Sequence, residues 1–494
     1  MAASAEIDEA PLAEPPASER VVAPPAAGDL RKLGYLGSGA AALLVSLVLP
    51  IPAGMKPEAV RTLVVIAVTV LWWATETFPM AVTALMVPVM LHALRIVSLA
   101  DAVKDGFGNE VVPFTLGVLG LSAAFNASGL GKRFMHPLLR FAGSRAAMVV
   151  GVFLWVSFLI SMFMDDLAVV LMMSPMALEL LRTTGVRRGG SNFGKAVMLA
   201  LIFGAILGGA ATPAGVSANL ITLSFLAKNA GQHVSFLYWT AISTPIFMAI
   251  AAITWWLIVR LFPPEIEELP LTLYGSHGER GGCGRWSTGE ITTMAVSIMA
   301  VVLWLSSDWT QLPTAFVSLL ILGGICLPAV GVFRKWQDLG KNIEWGGLLL
   351  LIGGLMVGAA AFRSGLAAWV VHAALYKMAV VPRFLQPAAV VLLVAADSLG
   401  LASFGTTASV NVPFVIAYTQ QNGLPVLALT LSAAYASSVH CILVTQTPSI
   451  SVPFSYGYFS VKDVAKLGIL VTVITAILTS VGMTIAGMPA GMSR

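Results

Sequence analysis

Charge is what this chain has least of. Asp, Glu, Lys and Arg make up 11% of its 494 residues, against about 25% in an ordinary soluble protein. So sparse a polar complement cannot cover soluble cores of this total length, which excludes cytosolic enzymes and nucleic-acid binders as descriptions of the whole chain. Its 28 Lys and Arg residues form no patch that could follow a phosphate backbone; they gather at the ends of apolar runs, as orientation signals do. Cysteine is scarce too. Cys283, Cys326 and Cys441 lie far apart, lack metal-ligand spacing and cannot all pair, which excludes a disulfide scaffold. The opening stretch MAASAEIDEAPLAEPPASERVVAPPAAGD has no apolar core of the kind a signal peptide needs.

What remains is apolar. The hydrophobic fraction is 57% and the mean hydropathy +0.88, so the chain reads as an all-α polytopic protein whose partner is the lipid bilayer, multi-pass in the cell inner (plasma) membrane. Residues 1–30, rich in Ala, Pro and Glu, read as a disordered tail. Arg31 and Lys32 before the first apolar segment put the N-terminus in the cytoplasm. Further spans are expected at about 60–78, 80–97, 111–130, 197–228, 235–261, 291–307, 313–331, 346–362 and 465–489. The most polar internal stretch, residues 263–290, separates a first transmembrane repeat (31–262) from a second (291–494).

The two halves share short matches in a common order. Ser128-Gly129-Leu130 is echoed by Ser364-Gly365-Leu366 and Pro175 by Pro413, an offset of 236 to 238 residues, and Thr212-Pro213 and Thr447-Pro448 follow at a similar offset. A duplicated half with an odd number of crossings is inverted, an architecture of many secondary transporters.

Between Arg145 and Arg182 the apolar sequence is broken once, by Asp165-Asp166 in FLISMFMDDLAVVLMMSP. A carboxylate at membrane depth costs at least about 2.5–3.5 kcal/mol on insertion scales. Arg133, Arg140 and Arg145 precede the run, and Arg182, Arg187, Arg188 and Lys195 follow it, so both ends look cytoplasmic and the run reads as a re-entrant hairpin with the aspartates at its tip. The rival reading is two ordinary crossing helices with the aspartates in an outer loop, since arms of about 17 residues nearly suffice to cross. The partner hairpin, about Phe384 to Tyr418, has its break at Ser403-Phe404-Gly405-Thr406-Thr407.

After each hairpin comes a helix interrupted by backbone-rich sequence, Gly208 to Asn219 in the first half and Thr445-Gln446-Thr447-Pro448-Ser449 in the second. Unwound carbonyls suit cations, and half-helix N-termini suit anions; kinks made for packing are the plainer alternative. Asp397 is a further acid in an apolar run, readable as a coupling group or as a hydrogen-bonded structural acid. His440 titrates near neutral pH when unperturbed, and Glu76, beside Phe78-Pro79, reads as a cap or packing residue.

At these residues the chain resembles the divalent anion/sodium symporter (DASS) family of the ion transporter superfamily. Thr75-Glu76-Thr77-Phe78-Pro79-Met80-Ala81-Val82-Thr83-Ala84 is similar to its TEAIPLAVTA signature, IEWGGLLLLIGGLMVGAAAFRSGLAAWV from Ile343 to the opening of its second core, and SYGYFSVKDVAKLG to its approach to the final helix. The resemblance runs from about residue 34 to the C-terminus. It implies a homodimer of elevator-type protomers, each with a scaffold, a transport domain and two re-entrant hairpins, carrying di- or tricarboxylates or sulfate with sodium.

It also implies site residues. By position, Asp165-Asp166-Leu167 and Ser403-Phe404-Gly405 stand where the family has Ser-Asn-Thr at its two tips, and Val216-Ser217-Ala218-Asn219 and Thr447-Pro448-Ser449-Ile450 stand at its helix breaks. Substrate contacts are expected from Asp166, Leu167, Val216, Ser217, Asn219, Ser403, Phe404, Gly405, Thr406 and Pro448. Cation coupling is expected from Ser161, Asp165, Asp166, Gly215 and Thr447, with Na⁺ at Asp165 or Asp166 and no other cofactor. The departures from the family pattern fall on the tips themselves, and leave substrate and coupling ion, Na⁺ or H⁺, open.

Three functions follow. In an anion transporter the two fixed carboxylates repel the cargo until a cation or proton neutralises them, which links the two fluxes. In a sodium/proton antiporter of the same superfamily, which MDDLAVV also resembles, one carboxylate binds Na⁺ and H⁺ in turn. An intramembrane aspartyl protease would pair Asp165 or Asp166 with Asp397, but neither acid lies in a protease motif and the duplicated broken helices would have no purpose.

Overall fold

The computed structural model describes residues 27–131, 133, 143–266, 268–269, 285–328, 330–375, 378, 380–401 and 403–486. Residues 1–26 of the expected tail, Cys283 and most of the 263–290 stretch lie outside them. A backbone in hydrocarbon has no water to bond, so it must close its hydrogen bonds within each segment. Accordingly the described residues are helices and turns, with one isolated bridge, Arg145 to Glu268.

Helix α1 (Ala27–Val45) stands before the repeat, and its start at Ala27 makes residues 27–30 helical where a tail was expected. The first half runs α2 (Pro57–Ala74), α3 (Met80–Ala93), α4 (Leu99–Gly106), α5 (Val111–Ser128), α6 (Ala146–Ser161), α7 (Asp166–Thr183), α8 (Asn192–Ala211), α9 (Ser217–Ala230) and α10 (Phe236–Leu261). The second runs α11 (Thr288–Leu305), α12 (Thr314–Ile325), α13 (Trp336–Asn342), α14 (Trp345–Arg363), α15 (Gln386–Asp397), α16 (Phe404–Gln421), α17 (Val426–Ser438), α18 (Pro448–Phe454) and α19 (Val461–Ile485). Each helix α2–α10 thus has a counterpart in α11–α19. The second half opens earlier than the polar composition suggested, because Ser287 and Glu290 form a capping box that starts α11 at Thr288. Arg133 locks that corner, donating from Nε and Nη2 to the two Glu290 carboxylate oxygens.

Among the described residues, eight helices are long and apolar enough to cross a membrane. One of these segments is α15 with its flanking turns, Arg383–Gly400, which ends beside an internal cavity and is therefore a hairpin arm.

The halves interlock. Helix α5 packs on α12 of the other half, and reciprocally α14 packs on α3. Equivalent glycines make both contacts. A Cβ on Gly117 would lie 2.3 Å from the Ser318 carbonyl oxygen, and one on Gly353 would lie 2.7 Å from the Ala84 Cβ. Helix α8 is the axis of the first hairpin bundle and is buried from Phe193 to Ala211 apart from Lys195. It sits hard against α6, where a Cβ on Gly204 or Gly208 would approach the carbonyl oxygens of Leu154 or Phe158 to 2.2 and 2.1 Å.

Those contacts set a measurable asymmetry among glycines. Gly208→Ala forces backbone apart and is expected to cost about 1–3 kcal/mol, whereas Gly323→Ala on α12 meets nothing within 4 Å and is expected to be neutral or slightly stabilising. Thermal unfolding of the two purified variants in detergent checks this.

Candidate functional site

The first hairpin turns over Met162–Asp165, between α6 and α7. Asp165 caps α7, its Oδ1 accepting the Leu167 N–H at 3.1 Å, and its own N–H is donated to Ser122 Oγ on α5 at 3.4 Å. Asp166 follows as the first residue of α7. It is 4% exposed, and its Oδ2 has no hydrogen-bond partner.

The second hairpin rises through α15 and the turn Ser398–Gly400 and descends as α16. Its tip is shorter than the sequence suggested. Ser403 is extended, and its carbonyl already accepts the Thr407 N–H at 3.0 Å, so Gly405, Thr406 and Thr407 belong to the first turn of α16. Gly405 is needed there for approach, since a Cβ would come within 2.9 Å of Ser217 Oγ on α9.

The two breaks are held by side-chain amides. Between α8 and α9 the chain is unwound over 212–216. Asn219 Nδ2 donates to the carbonyls of Gly209 (3.0 Å) and Thr212 (2.7 Å), while its Oδ1 accepts from Ser438 Oγ at the end of α17 (2.8 Å). Thr212 Oγ1 reaches back to the Met162 carbonyl at the first tip. In the second half the break is longer than Thr445–Ser449, because α17 stops at Ser438 and α18 begins only at Pro448. Gln446 stabilises it: Oε1 accepts from the N–H groups of Ile442 and Leu443, both at 2.7 Å, and Nε2 donates to the Ser398 carbonyl at 3.1 Å. Each break is thus tied to the other repeat or to its own hairpin.

Tips and breaks enclose a cavity of about 190 Å³. The N-termini of α7, α9 and α16 and of the short α18 all reach it, through Asp165, Asp166 and Leu167, Val216 and Ser217, Ser403 and Phe404, and Thr447, Pro448 and Ser449. That convergence places Asp165 among buried helix breaks and rules out the outer-loop reading. Neither Val216 nor Ser403 caps its helix with a side chain, so the first N–H groups of α9 and α16 are open to a ligand. Thr447 Oγ1 accepts the Ser449 N–H at 3.3 Å, and Ser449 Oγ is buried without a partner.

The other expected site residues lie behind this wall. Asn219 and Thr406 are buried outside the lining, and Gly405 packs on Ser217. Ser161 is fully buried, with its Oγ donating to the Met164 carbonyl at 3.4 Å. Gly215 presses on Gly209, where a Cβ would lie 2.3 Å from the Gly209 carbonyl oxygen. Ser161 and these carbonyls make a compact oxygen-rich nest under the first tip.

Asp397 is exposed and accepts from Asn411 Nδ2 at 2.8 Å, outside the cavity lining, so it forms no catalytic pair with the tip aspartates. His440 lies in the second break, buried edge-on against Phe404 with ring centroids 4.7 Å apart. Glu76 occupies the turn between α2 and α3 with a left-handed φ of 48°, and Met80 just beyond it reaches the cavity.

Glu344 escaped the sequence reading. It precedes α14, is exposed, and lines the same cavity as Asp165 and Asp166. The signal was present: Glu110 stands in the same place immediately before α5, the counterpart of α14. Among the described residues no Lys or Arg lines the cavity.

Residues 32–490 match a family model described as "Sodium:sulfate symporter transmembrane region". Similar curated proteins include the "Sodium-dependent dicarboxylate transporter SdcS" of Staphylococcus aureus strain bovine RF122 / ET3-1, 24% identical over 454 residues and covering 86% of both chains. The protein of the same name in strain NCTC 8325 / PS 47 is 24% identical over 434 residues, 82% of each chain. Among solved structures, the YdaH transporter of Alcanivorax borkumensis has a similar fold, with a TM-score of 0.53 at 17% identity over 78% of this chain and 88% of that one.

Because Asn219 joins both breaks, its loss has consequences beyond one contact. Asn219→Ala removes the side-chain donor from the Gly209 and Thr212 carbonyls in the buried interior, at about 1–3 kcal/mol for each group left unpaired, and unties the first break from Ser438, whose hydroxyl keeps the Ala434 carbonyl. A clear fall in the unfolding temperature in detergent is expected, larger than for Asn422→Ala at the end of α16, whose side chain bonds only its own helix.

Proposed function

Since the chain belongs to the sodium:sulfate symporter family, we propose that it is a secondary active transporter that moves a small anion across the plasma membrane with a Na⁺ or H⁺ gradient. The observation that carries this reading is the convergence of helix N-termini from both repeats on one cavity. Each uncapped N-terminus offers free N–H groups and the positive end of a helix dipole, which bind an anion without a basic side chain.

The same cavity supplies the coupling. Asp166 is the most buried of its carboxylates, with a bare oxygen. A carboxylate in that position is costly when unaccompanied and stable with a bound cation or proton. A half-loaded state that leaves this carboxylate bare therefore carries a charge penalty that opposes crossing, and the loaded or protonated state does not. Ser161, Gly215 and Thr447 complete the cation side in this reading, and Ser217, Ser403, Phe404 and Pro448 the anion side. The hairpins and the segments flanking the breaks travel together as an elevator against the remaining spans, which hold two protomers as a homodimer. Arg31 and Lys32 keep the N-terminus in the cytoplasm.

Proteoliposomes test the proposal directly. With succinate, citrate, sulfate, an organosulfonate and acidic amino acids offered in turn, at least one is expected to accumulate against its gradient when Na⁺ or pH gradients are imposed. Accumulation of none, with Na⁺ and H⁺ exchanged instead, would favour the antiporter. Asp166→Asn keeps size and hydrogen bonding but removes the fixed charge. It is expected to abolish gradient-driven accumulation at least tenfold while sparing exchange of internal for external cargo, with Asp165→Asn the weaker of the two. Light scattering on the detergent-solubilised protein is expected to give the mass of a dimer.

A further inference from the structure

The three carboxylates at the cavity are not equivalent. Glu344 is exposed, Asp165 is half-buried, and Asp166 is buried with an unpartnered oxygen. They come from two elements, the first tip and the start of α14. Among the described residues no group of three acidic, His or Cys side chains closes around a point that would hold a metal ion, so a single cation does not account for all three. The buried Asp166 is matched by the coupling cation proposed above. Glu344 and Asp165 remain.

Glu344 is placed with some care. It begins α14, and two glycines follow at the first turn. A Cβ on Gly347 would come within 2.7 Å of Glu344 Oε2, so the carboxylate folds back over the first turn of its own helix in the space that this glycine leaves. The cavity of about 190 Å³ has no Lys or Arg among its described lining residues, so this charge repels a dicarboxylate or sulfate and no described side chain of opposite sign compensates.

Another part of the lining has the reverse character. The uncapped starts of α9 and α16, at Ser217 and Phe404, attract an anionic head. A solute that fits both parts has a carboxylate or sulfonate at one end and a positive group with several donors at the other. We infer that the organic acid taken by this site also carries an ammonium group, held between Glu344 and Asp165, while its acid head faces the open N-termini of α9 and α16. An ammonium has three N–H donors and pairs with carboxylate oxygens by short charge-assisted bonds, which a hydroxyl of the same size cannot replace. The cargo class is then amino acids with an acidic head, including the aminodicarboxylates. This rests on the reading of the chain as an anion transporter and narrows it.

The test uses pairs that differ in one group. In proteoliposomes of the wild-type protein, initial uptake of aspartate is compared with malate, and of taurine with isethionate; each pair exchanges an ammonium for a hydroxyl. At least one amine member is expected to be taken up tenfold or more faster than its hydroxyl partner. Glu344→Gln is expected to reduce that ratio to within about threefold, and Glu344→Asp to restore part of it, with the dimer mass of each variant confirming assembly. Uptake of malate or isethionate at rates equal to the amines overturns the inference. So does accumulation of succinate or sulfate with no transport of any amine, which leaves the transporter reading intact. Failure of every solute to move under any gradient overturns both.

Discussion

Everything at the centre of this protein depends on interrupting helices where no water can satisfy them. Each break frees donors and acceptors that in a soluble protein would turn to solvent. Here Asn219 and Gln446 supply the missing partners. Each does more than close its own gap: Asn219 reaches Ser438 in the other repeat, and Gln446 reaches Ser398 beneath the second tip. The amides fix where the chain stops being helical, and thereby fix where the helix ends that face the cavity begin. A ligand site made of backbone dipoles needs this precision more than one made of long side chains, which can adjust by rotation.

Much of the architecture was legible because a membrane simplifies the reading. Long apolar runs must be helical, and an acid pair inside one is conspicuous, so Asp165-Asp166 marked the first tip correctly and the repeat offset led to the second. The limits of the second break were not legible. Val439 to Val444 reads VHCILV, with neither Gly nor Pro, and nothing local announces that the chain leaves the helix at Ser438. A glutamine further along holds it open instead. The same local reasoning put Gly405 in a loop, whereas its role is to let two helix starts touch.

The site was legible in outline only. Of the residues expected around the substrate or cation, Asp165, Asp166, Leu167, Val216, Ser217, Ser403, Phe404, Thr447 and Pro448 line the cavity, while Ser161, Gly215, Asn219, Gly405 and Thr406 lie behind it. Sequence position separates these two groups poorly, because neighbours in the sequence at a helix start face the cavity in one case and the core in the next. Glu344 stayed hidden for another reason. At the end of an apolar run an acid is ordinary, and only the folding of the second half against the first brings it to the cavity that holds the tip aspartates.

The reciprocal contacts of α5 with α12 and of α14 with α3 bear on how the protein is made. Gly117 has no surface to close on until Ser318 has been synthesised, and Ala84 waits likewise for Gly353. At ordinary translation rates that interval is on the order of ten seconds or more. Through it the first repeat sits in the bilayer with a glycine face unpacked and a broken helix whose Asn219 still lacks Ser438. Neither repeat is a self-sufficient folding unit, and the newly inserted first half is a natural client for whatever holds unfinished membrane helices together until their partners arrive.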